Sequence, residues 1–103
     1  MKVGDLYQET LVCYDVKNNK ARTRLADSLK DLGLSGIQES VFWGYVTLAE
    51  RRAIHTLFTE LLDPDTDRAF AIPVGIRKRI GEGCGFGYTI EKDFPVYHDF
   101  STL

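Results

Sequence analysis

The first clear pattern along the chain is a short, nearly continuous apolar run, Thr10-Leu-Val-Cys-Tyr-Asp-Val16. It has the length of one strand and is rich in β-formers, which predicts a central strand buried on both faces. Residues 1–9 are mixed in polarity and read as a loose leader. After Val16 the period changes. Ala21, Leu25, Leu29 and Leu32 recur at the spacing of one helix face, with Lys20, Arg22, Arg24, Lys30 and Asp31 on the other. Asn18 and Asn19 are good N-caps and Gly33 is well placed as the C-terminal stop.

Ile37 to Val46 is β-branched and aromatic and reads as strand, either one bent strand or two short ones, with Gly44 as a candidate bend. Thr47-Leu-Ala-Glu50 fits a capping box. Ala53, Ile54, Leu57, Phe58, Leu61 and Leu62 then form the stripe of a second helix, which Asp63-Pro64 closes. Asp65 to Asp67 make a polar turn into a further strand, Arg68 to Val74, with Pro73 at its far end. Residues 75–87 hold five glycines and three basic residues, and Phe86–Ile90 and Val96–Phe100 are weaker strand candidates. This order places two helices on one face of a mainly antiparallel sheet, an α+β fold.

Composition narrows the class. At 103 residues the chain has the length of a single domain, and 44% hydrophobic with 27% charged residues is an ordinary globular balance. No apolar run has the length of a membrane span, and no secretory signal is visible at the N-terminus; a cytoplasmic location is expected. Cys13 and Cys84 with two separated histidines do not make a zinc site, and nothing demands a disulfide. The net charge of −2 runs against a stand-alone nucleic-acid binder, yet the charge is uneven. Lys17, Lys20, Arg22, Arg24 and Lys30 crowd one segment and Arg77, Lys78 and Arg79 another, while Glu60, Asp63, Asp65 and Asp67 gather elsewhere.

Three features carry candidate chemistry. Asp15 ends an apolar strand, so its carboxylate lies at a sheet edge. There it either caps the turn before the helix or serves as an oxygen ligand for Mg²⁺. One Asp is too little for an all-protein Mg²⁺ site; two copies facing each other across a dimer axis would suffice. The basic helix face is either a solvated surface or a phosphate-contacting one. Phe42, Trp43 and Tyr45 span both sides of a strand, with Phe42 and Tyr14 read as core and Trp43 as an interface candidate if it points outward. The loop 81-GEGCGFG-87 does not match G-x-G-x-x-G and opens no helix, so it reads as a flexible turn. His55 and His98 have no visible partner and read as structural or exposed.

In order along the chain, Tyr14-Asp15 closing the first strand, Arg22 and Arg24 in the following helix, and Gln38-x-Ser40-Val41-Phe42 resemble the CRISPR-associated protein 2 family over about residues 10–74. The resemblance implies a single ferredoxin-like βαββαβ domain over 1–103, with a core at about 10–74 and a C-terminal extension, 75–103, that adds a strand segment. It implies a symmetric homodimer that binds DNA or RNA and bridges the larger CRISPR-associated integrase during spacer acquisition. It also implies a Mg²⁺-dependent endonuclease or endoribonuclease activity, with one ion shared by two copies of Asp15. Tyr14, Arg22, Arg24, Ser40 and Phe42 match positions that the family associates with activity or nucleic-acid contact. The chain departs from the family in the roughly nine residues before its first strand and in its glycine-rich tail. Two other functions fit a small domain of this kind: a toxin-type ribonuclease, and a ferredoxin-like binding domain without chemistry.

Overall fold

A computed structural model describes residues 6–97. The elements run β1 (Tyr7–Asp15), α1 (Asn19–Asp31), β2 (Ser35–Gln38), β3 (Val41–Thr47), α2 (Leu48–Leu61) and β4 (Arg68–Pro73), followed by two single-turn helices, α3 (Ile76–Arg79) and α4 (Ile90–Asp93). The sheet is antiparallel with strand order β2-β3-β1-β4. This is the βαββαβ arrangement expected of a ferredoxin-like domain, with two helices over one face of the sheet.

Both long helices start and stop where the sequence predicts. The Asn18 side chain accepts from the Ala21 N–H at 2.9 Å, and Gly33 takes φ 94°, a left-handed conformation that suits glycine. Thr47 and Glu50 form the reciprocal capping box at the start of α2. Leu25 and Leu29 of α1 and Ile54 of α2 are buried against Val12, Tyr14, Phe42 and Val46 of the sheet. Ala69 and Ala71, the small residues of β4, face the same way and let the helices sit close.

The predicted first strand is corrected at both ends of its description. It begins at Tyr7 rather than Thr10, because β3 is long enough to pair Tyr7, Gln8 and Glu9 with Thr47, Val46 and Tyr45. Nor is it buried on both faces. Thr10, Val12 and Tyr14 are buried on the helix side, while Leu11 and Cys13 on the other side are half-buried and Asp15 is exposed. The stretch 37–46 resolves into two strands joined at Glu39-Ser40, and the irregularity lies between Gly36 and Gln38 in β2 rather than at Gly44. Gly44 is small for another reason: a Cβ there would come within 3.0 Å of the Leu34 side chain and 3.1 Å of its Cα.

The face of the sheet away from the helices divides in two. Over its Tyr7 end the C-terminal segment folds back. Phe94 meets Trp43 edge-on with ring centroids 5.2 Å apart, and Tyr97 stacks on Tyr7 at 4.6 Å. Trp43 is therefore on the outer face, as an interface residue would be, yet only 3% exposed. Among the described residues this segment adds no strand. Residues 86–89 are irregular and Val96 and Tyr97 join no ladder, while the rest of the Val96–Phe100 candidate and His98 lie outside the described residues. Over the Asp15 end no described residue covers the sheet, and Phe70 and Ile72 are 49% and 44% exposed.

Glu9 joins the sheet to the segment after β4. One carboxylate oxygen accepts from Trp43 Nε1 at 2.9 Å and from the backbone N–H groups of Ile76 at 2.6 Å and Arg77 at 3.3 Å. Replacing Glu9 with Ala leaves an indole N–H and two backbone N–H groups without their acceptor. The expected cost is on the order of 3 kcal/mol in urea unfolding, with Trp43 emission shifted to the red. Glu9→Gln keeps an acceptor and should lose less than half as much; equal losses would show that the carboxylate is not the joint.

Candidate functional site

The residues singled out from the sequence gather at one end of the sheet, where β1 finishes, the β2–β3 turn lies and β4 begins. They do not form one cluster. Tyr14, Arg22, Ser40 and Phe42 line a shallow cleft of about 350 Å³ on the helix side, together with Lys30, Asp27 and Glu39. Asp15 sits on the opposite side of β1, since successive strand residues alternate faces. Arg24 belongs to neither place: two residues after Arg22 on a helix, it lies in a separate groove with Lys20, Glu60 and Asp63.

Within the cleft the backbone is held closely. The Tyr14 N–H donates to the Ser40 carbonyl at 3.1 Å, tying the end of β1 to the turn. Ser40 takes φ 64°, a left-handed conformation that costs a side-chain-bearing residue about 1–2 kcal/mol. The Tyr14 ring stacks on Phe42 with centroids 6.2 Å apart. Burial raises the Tyr14 phenol above its ordinary value, partly offset by the Arg22 charge and a hydrogen bond from Ser40. At neutral pH Tyr14 is a neutral hydroxyl. Arg22 spends part of its fork on structure: Nη1 donates to the Val16 carbonyl at 2.9 Å and Nη2 to Asn19 Oδ1. The cleft thus offers hydroxyls and cations in a mixed field that also contains two carboxylates.

Asp15 is in a different electrostatic setting. Its side chain is 70% exposed and its partner is Lys17 Nζ at 3.4 Å. A second acidic group nearby is fully used. Asp67 accepts the Lys17 N–H on Oδ1 and the Asp63 N–H on Oδ2, both at 2.9 Å. The hydrogen bonds from the Asp63 and Lys17 N–H groups hold the Asp67 carboxyl below its usual range. Asp67 therefore clamps the loop after β1 to the loop before β4, whereas Asp15 meets Lys17 through one oxygen and keeps lone pairs free. Its donor type suits a hard cation such as Mg²⁺. Among the described residues no group of three or more His, Cys, Asp or Glu side chains could hold a metal, so a protein-ligated ion at Asp15 needs a further ligand from beyond those residues, which a second copy of the chain could provide.

Other expectations fall away or acquire a place. Cys13 and Cys84 are free thiols, and burial raises that of Cys13. No described helix is long and apolar enough to cross a membrane. Glu9 and Asp67 were not legible as structural carboxylates. Glu9 lies in what reads as a leader and Asp67 in what reads as a generic polar turn, and most of their partners, the Trp43 indole and the Ile76 and Arg77 N–H groups for Glu9 and the Lys17 N–H for Asp67, are distant in the chain.

Comparison with known proteins gives one family. A family model described as CRISPR associated protein Cas2 matches residues 9–79. A CRISPR-associated endoribonuclease Cas2 from Francisella tularensis subsp. novicida is 37% identical over 93 residues, covering 89% of this chain and 95% of the relative. A CRISPR-associated endoribonuclease Cas2 from Korarchaeum cryptofilum is 35% identical over 74 residues, covering 72% of this chain and 77% of the relative. Among solved structures, Cas2 of Streptococcus pyogenes superposes with a TM-score of 0.64 at 28% identity, covering 77% of this chain and 99% of that one. With its fold and these matches in agreement, the chain belongs to the CRISPR-associated Cas2 family.

Proposed function

We propose that the protein is a homodimeric subunit of a CRISPR adaptation assembly that binds nucleic acid, bridges the integrase and hydrolyses phosphodiester bonds with Mg²⁺ held by Asp15 from each of two copies. The observation that carries this reading is the position of Asp15: a carboxylate with free lone pairs at the edge of a bare apolar sheet face. A second copy packed on Phe70 and Ile72 would bring its own Asp15 to the same edge and supply a further carboxylate ligand, which the described residues of one chain do not offer. The relatives from Francisella tularensis subsp. novicida and Korarchaeum cryptofilum are named endoribonucleases, which favours the same chemistry.

When bound, Mg²⁺ supplies polarisation of a phosphoryl oxygen and a water of lowered pKa. The chain's own residues do the rest. Asp15 from each copy would hold the ion. Lys17 offsets part of the Asp15 charge at 3.4 Å, which keeps the edge from repelling a phosphate. On the other side of β1, Arg22 and Lys30 attract the backbone of the strand, and the neutral Tyr14 and Ser40 hydroxyls donate to phosphate or ribose oxygens. Phe42 and Tyr14 keep the end of β1 rigid, so Asp15 is held on packed strand rather than loop.

The test is removal of the metal. Wild-type protein incubated with labelled single-stranded RNA and with duplex DNA should cut at least one of them in Mg²⁺ and neither after chelation. Cleavage that persists in excess chelator would rule out the metal mechanism. Binding without cleavage would leave the assembly role alone, and no binding even at low salt would remove both.

A further inference from the structure

We infer that Arg68 is the phosphate-contacting cation of the Asp15 edge, a role that rests on the reading of that edge as a nucleic-acid site. Arg68 opens β4 and stands directly opposite Asp15 in the β1–β4 register. Residues directly opposite in an antiparallel pair have Cβ atoms about 5 Å apart and share a face. Asp15 and Arg68 therefore project from the same side of the sheet, at the same end.

The other cations near that edge lie on other surfaces or are paired. Arg22 is bonded to the Val16 carbonyl and to Asn19 on the helix side. Arg24 lies in the groove with Glu60 and Asp63. Lys17 is paired with Asp15 itself. Arg68 is exposed, and among the described residues its guanidinium forms neither a hydrogen bond nor an ion pair. Its neighbour Asp67 fixes the backbone on both sides of the pair, through Lys17 after Asp15 and through Asp63 before Arg68. The local charge also calls for it. Asp15, Asp63, Asp65 and Asp67 make this end acidic, and a phosphate approaching Asp15 needs a cation on the same face. A planar guanidinium can grip two phosphate oxygens at once, which a lysine cannot.

Binding of labelled single-stranded RNA in chelator, followed by anisotropy across a series of salt concentrations, tests this without any cleavage. Arg68→Ala and Arg68→Gln should weaken binding at low salt about 5- to 10-fold. They should also flatten the plot of log affinity against log salt by about 0.7 per chain, the effect of one lost phosphate contact. Arg68→Lys should keep the slope and recover only part of the affinity. If wild type binds and both neutral variants overlay it, Arg68 has no phosphate contact and the inference fails while the functional reading stands. If wild type itself does not bind at low salt, the functional reading fails and the role of Arg68 fails with it.

Discussion

Asp15→Ala should lower Mg²⁺-dependent cleavage at least about 100-fold, and its thermal midpoint should stay within about 2 °C of wild type. The two halves of this expectation have separate causes. The carboxylate is 70% exposed and its one ion pair, with Lys17 at 3.4 Å, is also exposed, so the fold gains little from it. On the proposed mechanism the chemistry depends on it, because Asp67, the acidic group nearby, has both oxygens bound to backbone N–H groups that clamp two loops. Losing the metal forfeits several kcal/mol of transition-state stabilisation, and each 1.4 kcal/mol is about a factor of ten in rate. Parallel measurement of melting and of single-turnover cleavage checks both halves. A variant that cuts as fast as wild type would place the activity elsewhere.

The second large effect concerns the bare sheet face. Phe70→Glu combined with Ile72→Glu is expected to convert the protein to a folded monomer and to abolish cleavage, although Asp15 is untouched. Phe70 and Ile72 are about half exposed and project away from the helix-side core, so acidic side chains there can stay in water when the chain is alone. In a face-to-face pair the same charges would be buried without partners, which is strongly unfavourable. Light scattering should show the molar mass fall from two chains to one, with the circular dichroism of wild type retained. Phe86→Glu is the control: Phe86 is 97% exposed in the glycine-rich loop, and its replacement should leave both mass and cleavage unchanged. A double variant that remains dimeric would move the interface off this face.

The framework was legible because its signals are local. Asn18, Gly33 and the Thr47/Glu50 capping box mark helix ends within a few residues of themselves, and the leucine spacing of α1 names its buried face. The alternation of Arg68, Phe70 and Ile72 with Ala69 and Ala71 also encodes two faces, one open and one under the helices. What stayed hidden depends on distant partners. Tyr7 to Glu9 form strand because β3 is there to pair with them, and Glu9 is tolerable in a half-buried position because N–H groups from residues 43, 76 and 77 converge on it. The tail carries strand-like composition, yet over the described residues it packs as aromatic cover on Trp43 and Tyr45 rather than pairing.

The candidate site divides along the same line. Asp15 stands out because a carboxylate follows an apolar run, and the family resemblance adds Tyr14, Arg22, Arg24, Ser40 and Phe42. Their grouping is a matter of topology. The β2–β3 turn brings Ser40 beside Tyr14, and α1 lays Arg22 over the same cleft. Arg24 shares the motif but not the place, since 200° of helix separates it from Arg22. Arg68 carries no motif at all; only the β1–β4 register sets it opposite Asp15.

The most direct test of the shared Asp15 site is the stoichiometry of Mn²⁺ binding, measured by calorimetry on wild type and Asp15→Ala without nucleic acid. The account predicts one ion for every two wild-type chains and none for Asp15→Ala. One ion per chain, or binding that survives the loss of Asp15, would contradict it.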